Sequence, residues 1–296
     1  MDIAQFRRLS QHVEAILARQ IFFIVGFEES GGELLQRMLD AHPAIRCIRD
    51  GNYIDRVARP MEQLINPYNQ SIKQLANHSD SKQTDRHVPL GEDACHAAIL
   101  FTALLSVPGG LSDNVRYFGD YSAPNIQHMK ALKALFPRAK FIHIIRDGRD
   151  VLVSHLKQHP MTEDAAEYSA ESMAGILAAK WQDRIARAQL FARDHTADYC
   201  ELRYEDLVMY PQEELLRILL FLGLMPDLEQ IEHCVSVANP ATASGNPLID
   251  ISNGHIVAFT RTSIANNWMN DLPEASIDTF QHFAGTMLLS LGYSEK

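Results

Sequence analysis

The segment "GFEESGGELL", residues 26 to 35, follows the apolar run "IFFIV" and precedes an amphipathic stretch. A strand, a glycine-bearing turn and a helix make an anion site, because unpaired backbone N–H groups and the helix dipole converge on one point. Gly26 and Gly31 show the G-x-x-x-x-G spacing of a nucleotide-phosphate loop, but Gly32 and Glu33 stand where that motif carries Lys and then Ser or Thr. Neither the phosphate-reaching ammonium nor the magnesium-binding hydroxyl is present, so a nucleoside triphosphatase reading falls away. The loop instead holds Glu28, Glu29 and Glu33 and no basic residue. What such a loop still offers an anion is the backbone N–H groups of Gly31 and Gly32, beside Ser30.

The elements that position this loop are legible as an alternation. Short runs rich in β-branched and aromatic residues, "IFFIVGF", "VRYFGDY", "KFIHIIRD" and "DYCELRY", precede helical patterns, the signature of a parallel sheet covered by helices. Leu34, Leu35, Met38 and Leu39 recur at helical spacing, and "YPQEELLRILLFLGL" carries Pro211 at a helix start and Gly223 at its end. The expectation is a single α/β domain over residues 1–296. Two polar stretches interrupt it. Residues 66–92 read as a mobile loop, either a lid over a pocket or a solvated connection, and residues 238–255 as a second mobile loop.

Composition bounds the partners. With 46% hydrophobic and 22% charged residues the chain is an ordinary globular one. A formal net charge of −10 argues against duplex nucleic acid or an anionic membrane as the main partner. The apolar run from Ala97 to Val107 is too short to cross a bilayer, which takes about 20 residues, and reads as a buried helix. The N-terminal residues lack the pattern of a secretory signal, and Cys47, Cys95, Cys200 and Cys234 form neither a CxxC pair nor a His-flanked cluster. A cytoplasmic protein with reduced thiols and no bound metal is expected.

The segment "FPRAKFIHIIRDGRDVLVSH", residues 136 to 155, resembles the sulfotransferase family, whose members transfer a sulfuryl group from 3′-phosphoadenosine 5′-phosphosulfate (PAPS) and release PAP. Its R-D-x-R-D-x-x-x-S pattern is complete here, and the resemblance makes Arg146 and Ser154 the group that holds the 3′-phosphate. It extends from about Ile21 to about Tyr293 through "RYEDLVMYPQEELLRILLFLGL" and "RTSIANNW". The implied fold is a P-loop-like three-layer α/β/α arrangement around a central parallel sheet. Tyr204 is implied near the adenosine, and Arg261 and Ser263 where a late segment returns to the 3′-phosphate. "LLQRMLDAHPAIRC" is most similar to the tyrosylprotein branch and its bacterial relatives, which have a catalytic carboxylate three positions after the cysteine. Here that position is Asp50, which reads either as general base for a hydroxyl acceptor, on a small molecule or a peptide, or as a surface turn aspartate.

The resemblance also exposes departures. Aligning Ser30 and Gly31 with the family's loop S-G places Glu29 at the loop Arg, and Gly32 and Glu33 at the paired Thr or Ser. In "GDYSAP", residues 119 to 124, Tyr121 replaces a lysine. Active members use that lysine and the loop cation to stabilise charge on the departing oxygen. Two readings follow: a sulfotransferase with a non-standard, impaired phosphosulfate loop, or a noncatalytic relative keeping the fold as a binding or assembly module. Either the glutamates face solvent, or basic side chains such as Arg49 or Lys130 reach in, or the loop binds something else. Arg149 and Asp150 read as capping the helix and pairing locally, His143 and His155 as structural or supporting residues, and Trp181 and Trp268 as packing in the core or against the cofactor.

Overall fold

Asp2 opens the first helix, α1 (Ile3–Leu17), through a reciprocal capping box with Gln5. The computed structural model describes residues 2–78, 90–105, 107, 112–159, 169–238, 248–250, 257–259 and 266–294. After α1 come β1 (Gln20–Gly26), α2 (Gly32–Asp40) and β2 (Ile45–Arg49), then one π-helical turn at Ile54–Ala58 that runs into α3 (Arg59–His78). The chain continues through α4 (Glu92–Leu105), β3 (Tyr117–Tyr121), α5 (Met129–Leu135), β4 (Lys140–Ile145), α6 (Gly148–Gln158) and α7 (Ala170–Asp194). It then forms β5 (Tyr199–Arg203), α8 (Tyr204–Met209), α9 (Pro211–Leu222) and α10 (Leu228–Ala238). A short antiparallel pair, β6 (Leu248–Asp250) and β7 (Val257–Phe259), precedes α11 (Trp268–Asp271) and α12 (Glu274–Ser290).

The first five strands make one parallel sheet in the order β2-β3-β1-β4-β5. β1 is central, and its continuous apolar run is explained by burial on both faces. Phe22 and Ile24 pack with α2, α9 and α10, whereas Ile21, Phe23 and Val25 pack with α1, α4 and α7. A third cluster joins α6, α7 and α12 around Trp181 and Phe280. These are the three layers expected, with helices on either side of the sheet.

Topology fixes where a ligand can sit. The connection from β1 leads toward β2 on one side, and that from β4 leads toward β5 on the other. The crevice at the carboxyl ends of β1 and β4 is therefore the switch point at which open α/β sheets bind ligands.

Three differences from the sequence reading appear here. The strand β2, with the pattern I-R-C-I-R, is an edge strand in which Arg46 and Arg49 are exposed, so it lacks an apolar run. The connection expected over 66–92 begins later: α3 continues to His78 with Pro67 inside it, and α4 starts at Glu92. Proline there removes one helical bond, which is tolerated because the carbonyl four residues back belongs to exposed Gln63. The strands β6 and β7 fall within and just beyond residues 238–255; residues 79–89, 239–247 and 251–256 lie outside the described residues. No described helix is long and apolar enough to cross a membrane.

Candidate active site

Gly31 caps α2 in the left-handed conformation at φ 87°, and Glu29 two residues earlier also has positive φ, 62°. The loop thus turns sharply between β1 and α2 and leaves the first helical N–H groups without intrahelical partners. It is floored by two tyrosines. A Cβ built on Gly31 would lie 2.2 Å from the Tyr204 ring, and one on Gly32 would lie 2.2 Å from the Tyr121 ring. Ser30 is buried, and its Oγ has no hydrogen-bond partner among the described residues.

Arg146 leaves the end of β4 and Ser154 sits two turns into α6. Arg146 Nη1 donates to Ser154 Oγ at 3.0 Å and to the carbonyl of Glu29 at 3.0 Å. Its guanidinium lies 4.7 Å from the centre of the Tyr204 ring. Arg146 is buried, so the stacked, hydrogen-bonded guanidinium is held in one orientation. Ser30, Gly31, Gly32, Arg146, Ser154 and Tyr204 therefore form one cluster at the switch point.

Each loop glutamate has its own partner. Glu28 pairs with Arg184 from α7, whose guanidinium also covers the Phe27 ring at 4.6 Å. The Glu29 carboxylate accepts from Gln158 at the end of α6, and Glu33 pairs with Arg49 from β2. Arg49 does reach the loop, as one of the alternatives required, while Lys130 remains exposed on α5. Nothing in the local sequence marks Arg184 or Gln158 for this role, because their proximity is created by the packing of α6 and α7 beside β4.

Asp50 lies one strand beyond Tyr121, in a turn that follows β2. Three successive N–H groups of that turn are held by the end of β3 and the residue after it: Asp50 donates to the Tyr121 carbonyl at 2.9 Å, Gly51 to Asp120 Oδ1 at 2.9 Å and Asn52 to Ser122 Oγ at 3.2 Å. Asp50 and Asn52 both have positive φ, 58° and 41°, a strained arrangement that this clamp maintains. The Asp50 side chain is exposed. Asp120 is the residue that the sequence reading passed over. It is buried, accepts also from Ser122 and Asn125, and burial lifts its carboxyl to about 6 against those hydrogen bonds, with Asp50 adding to the rise.

The residues read as structural are placed as such. Arg149 pairs with Asp147, which caps α6, and covers Trp268 at 3.6 Å. Asp150 accepts the N–H groups of Asn266 and Trp268 at 3.0 Å each. His143 is fully buried against Tyr199, and burial pushes its pKa down to about 3. His155 stacks on His159, and Trp181 lies in the core. Arg261 and Ser263 lie outside the described residues. All four cysteines are free thiols, and no described cluster of His, Cys, Asp or Glu is arranged to hold a metal ion.

A model described as the sulfotransferase family matches residues 21–227. Protein-tyrosine sulfotransferase 2 of Gallus gallus is 25% identical over 287 residues, covering 96% of this chain and 72% of the relative. Among solved structures, the sulfotransferase domain from the curacin biosynthetic pathway superposes with a TM-score of 0.55 at 17% identity, over 93% of this chain and 98% of that one. Mouse sulfotransferase SULT7A1 complexed with PAP gives 0.55 at 13% identity, over 94% and 88%. At these identities the structural likeness concerns the fold.

Proposed function

The chain belongs to the sulfotransferase family, and from that premise we propose that it transfers a sulfuryl group from PAPS to a hydroxyl acceptor. The observation that carries this reading is the 3.0 Å contact of Arg146 with Ser154 beside the glycine loop, at the switch point of the sheet. A forked guanidinium and a hydroxyl at one spot suit the 3′-phosphate of an adenosine nucleotide. The buried, unpartnered Ser30 hydroxyl and the left-handed Gly31 cap suit an anion at the other end, so the residues fit the donor.

The donor brings an activated sulfuryl group; the chain positions it. Arg146 and Ser154 hold one end, the backbone of Ser30, Gly31 and Gly32 the other, and Tyr204 fixes the first against the second through its contacts with both Arg146 and Gly31. Asp50 accepts the acceptor's proton, its carboxylate kept at the rim by the clamp from Asp120 and Ser122. The pairing of Glu28, Glu29 and Glu33 with other side chains lessens the repulsion these carboxylates exert on a bound donor, whereas the binding-module reading rests on the missing loop cation and lysine, which this pairing does not replace. Because a relative matching nearly the whole chain is a protein-tyrosine sulfotransferase, the phenol of a peptide tyrosine is the first acceptor to test.

Calorimetric titration with PAP and with adenosine 5′-phosphosulfate, which lacks the 3′-phosphate, tests the donor assignment. PAP is expected to bind preferentially, and Arg146→Ala to abolish the preference with about a ten- to hundredfold weaker affinity for PAP, as for a charge-assisted hydrogen bond. Equal binding of both nucleotides, or none, would overturn it.

A further inference from the structure

Tyr121 ends β3 at the carboxyl edge of the sheet, in register with Ile24 of β1 and Arg49 of β2. Its ring lies on the first turn of α2. A Cβ on Gly32 would fall 2.2 Å from Cε2 and 2.5 Å from Cζ, the carbon that carries the phenolic oxygen. The hydroxyl is thus held beside the start of a nine-residue helix, where N–H groups and the dipole favour an anion. Among the described residues no hydrogen bond engages that hydroxyl.

Gly32 and Tyr121 are a matched pair. Each departs from the family pattern, and each requires the other: a threonine at position 32 would collide with this ring, and only a glycine leaves it room. The ring takes the volume of the lost loop side chain and brings its own oxygen to that place. Burial and the negative charges of Glu29, Glu33, Glu28 and Asp50 push the phenol well above its ordinary range, so it remains a protonated donor.

We propose that Tyr121 is a catalytic residue of this site, donating its phenolic O–H to the oxygen that joins sulfur to the 5′-phosphate. The proposal rests on the sulfuryl-transfer reading. The bond between sulfur and that oxygen breaks as a bond from sulfur to the acceptor oxygen forms. Asp50 takes the acceptor proton, the electron pair of the broken bond stays on the 5′-phosphate oxygen, and Tyr121 keeps its proton while its hydrogen bond strengthens. A neutral donor thereby does part of the work of the missing lysine.

PAP already carries the charge that the departing oxygen acquires, so it reports this hydrogen bond at full strength without an acceptor. The experiment compares PAP with adenosine 3′-phosphate, which lacks the 5′-phosphate, on wild type and on Tyr121→Phe, Tyr121→Lys and Tyr121→Ala by calorimetry. Tyr121→Phe is expected to weaken PAP about tenfold and leave adenosine 3′-phosphate unchanged, and Tyr121→Lys to restore PAP binding. PAP bound as tightly by Tyr121→Phe as by wild type, or more tightly by Tyr121→Ala, would overturn the proposal and mark the ring as a filler. A wild type that binds neither nucleotide would overturn the donor assignment itself, and this proposal with it.

Discussion

Gly31 and Tyr204 are in direct contact: a side chain on the glycine would begin 2.2 Å from the ring's Cδ2, in a backbone whose φ is 87°. The ring that supports Arg146 from below also defines how closely the anion loop approaches it.

Gly31→Ala is therefore expected to destabilise the protein by about 2–4 kcal/mol, combining left-handed strain with overpacking. Gly285→Ala is the control, since a Cβ there meets nothing within 4 Å and the residue is inside α12. That change is expected to be neutral or to stabilise by up to about 1 kcal/mol. Denaturant midpoints of the two variants check both, and equal midpoints would show that the loop has room to yield.

Asp120 makes a pH prediction. Its folded pKa, about 6, lies above the ordinary 3.8. The folded protein therefore binds the proton more tightly, so the contribution to stability is full below the ordinary value and is lost as pH rises through about 6. The rise from 3.8 to about 6 corresponds to roughly 3 kcal/mol. Stability measured in denaturant between these pH values should fall for wild type relative to Asp120→Asn, which has no proton to lose. Parallel profiles would remove the buried carboxylate as the cause.

Glu29→Gln separates charge from shape in the loop. The amide retains a hydrogen bond to Gln158 while removing a negative charge beside the candidate anion site. PAP affinity is expected to rise about fivefold at low salt, near 1 kcal/mol, and the gain to shrink as salt is added. No change at low salt would mean that Gln158 already holds the charge too far from the nucleotide to matter.

The strands β1 and β4 were legible because each buries a continuous apolar run, β3 and β5 because aromatic and apolar residues open them just ahead of a helical pattern, and Arg146 with Ser154 because their spacing matches a family pattern. The edge strand β2 was not, since Arg46 and Arg49 are exposed and interrupt its apolar residues. The polarity of α3 concealed a helix, as only Ile65 along its middle is buried and an Asn-Pro step resembles a turn. The partners of the three glutamates were hidden for a different reason. Arg184 and Gln158 lie more than a hundred residues from Glu28 and Glu29, and their meeting depends on how α6 and α7 stack against the sheet. Asp120 could have been noticed as an acid inside an apolar strand, where a charged side chain needs a reason to be buried.

A single helix touches both ends of the candidate nucleotide site. From α7, Trp181 Nε1 donates to the Arg146 carbonyl at 3.2 Å, and Arg184, one turn later, holds Glu28. The spacing between the two loops is thus gauged by one helical pitch. A residue inserted between positions 181 and 184 would rotate one of these two grips away from its loop, so α7 acts as a caliper for the distance between the two loops.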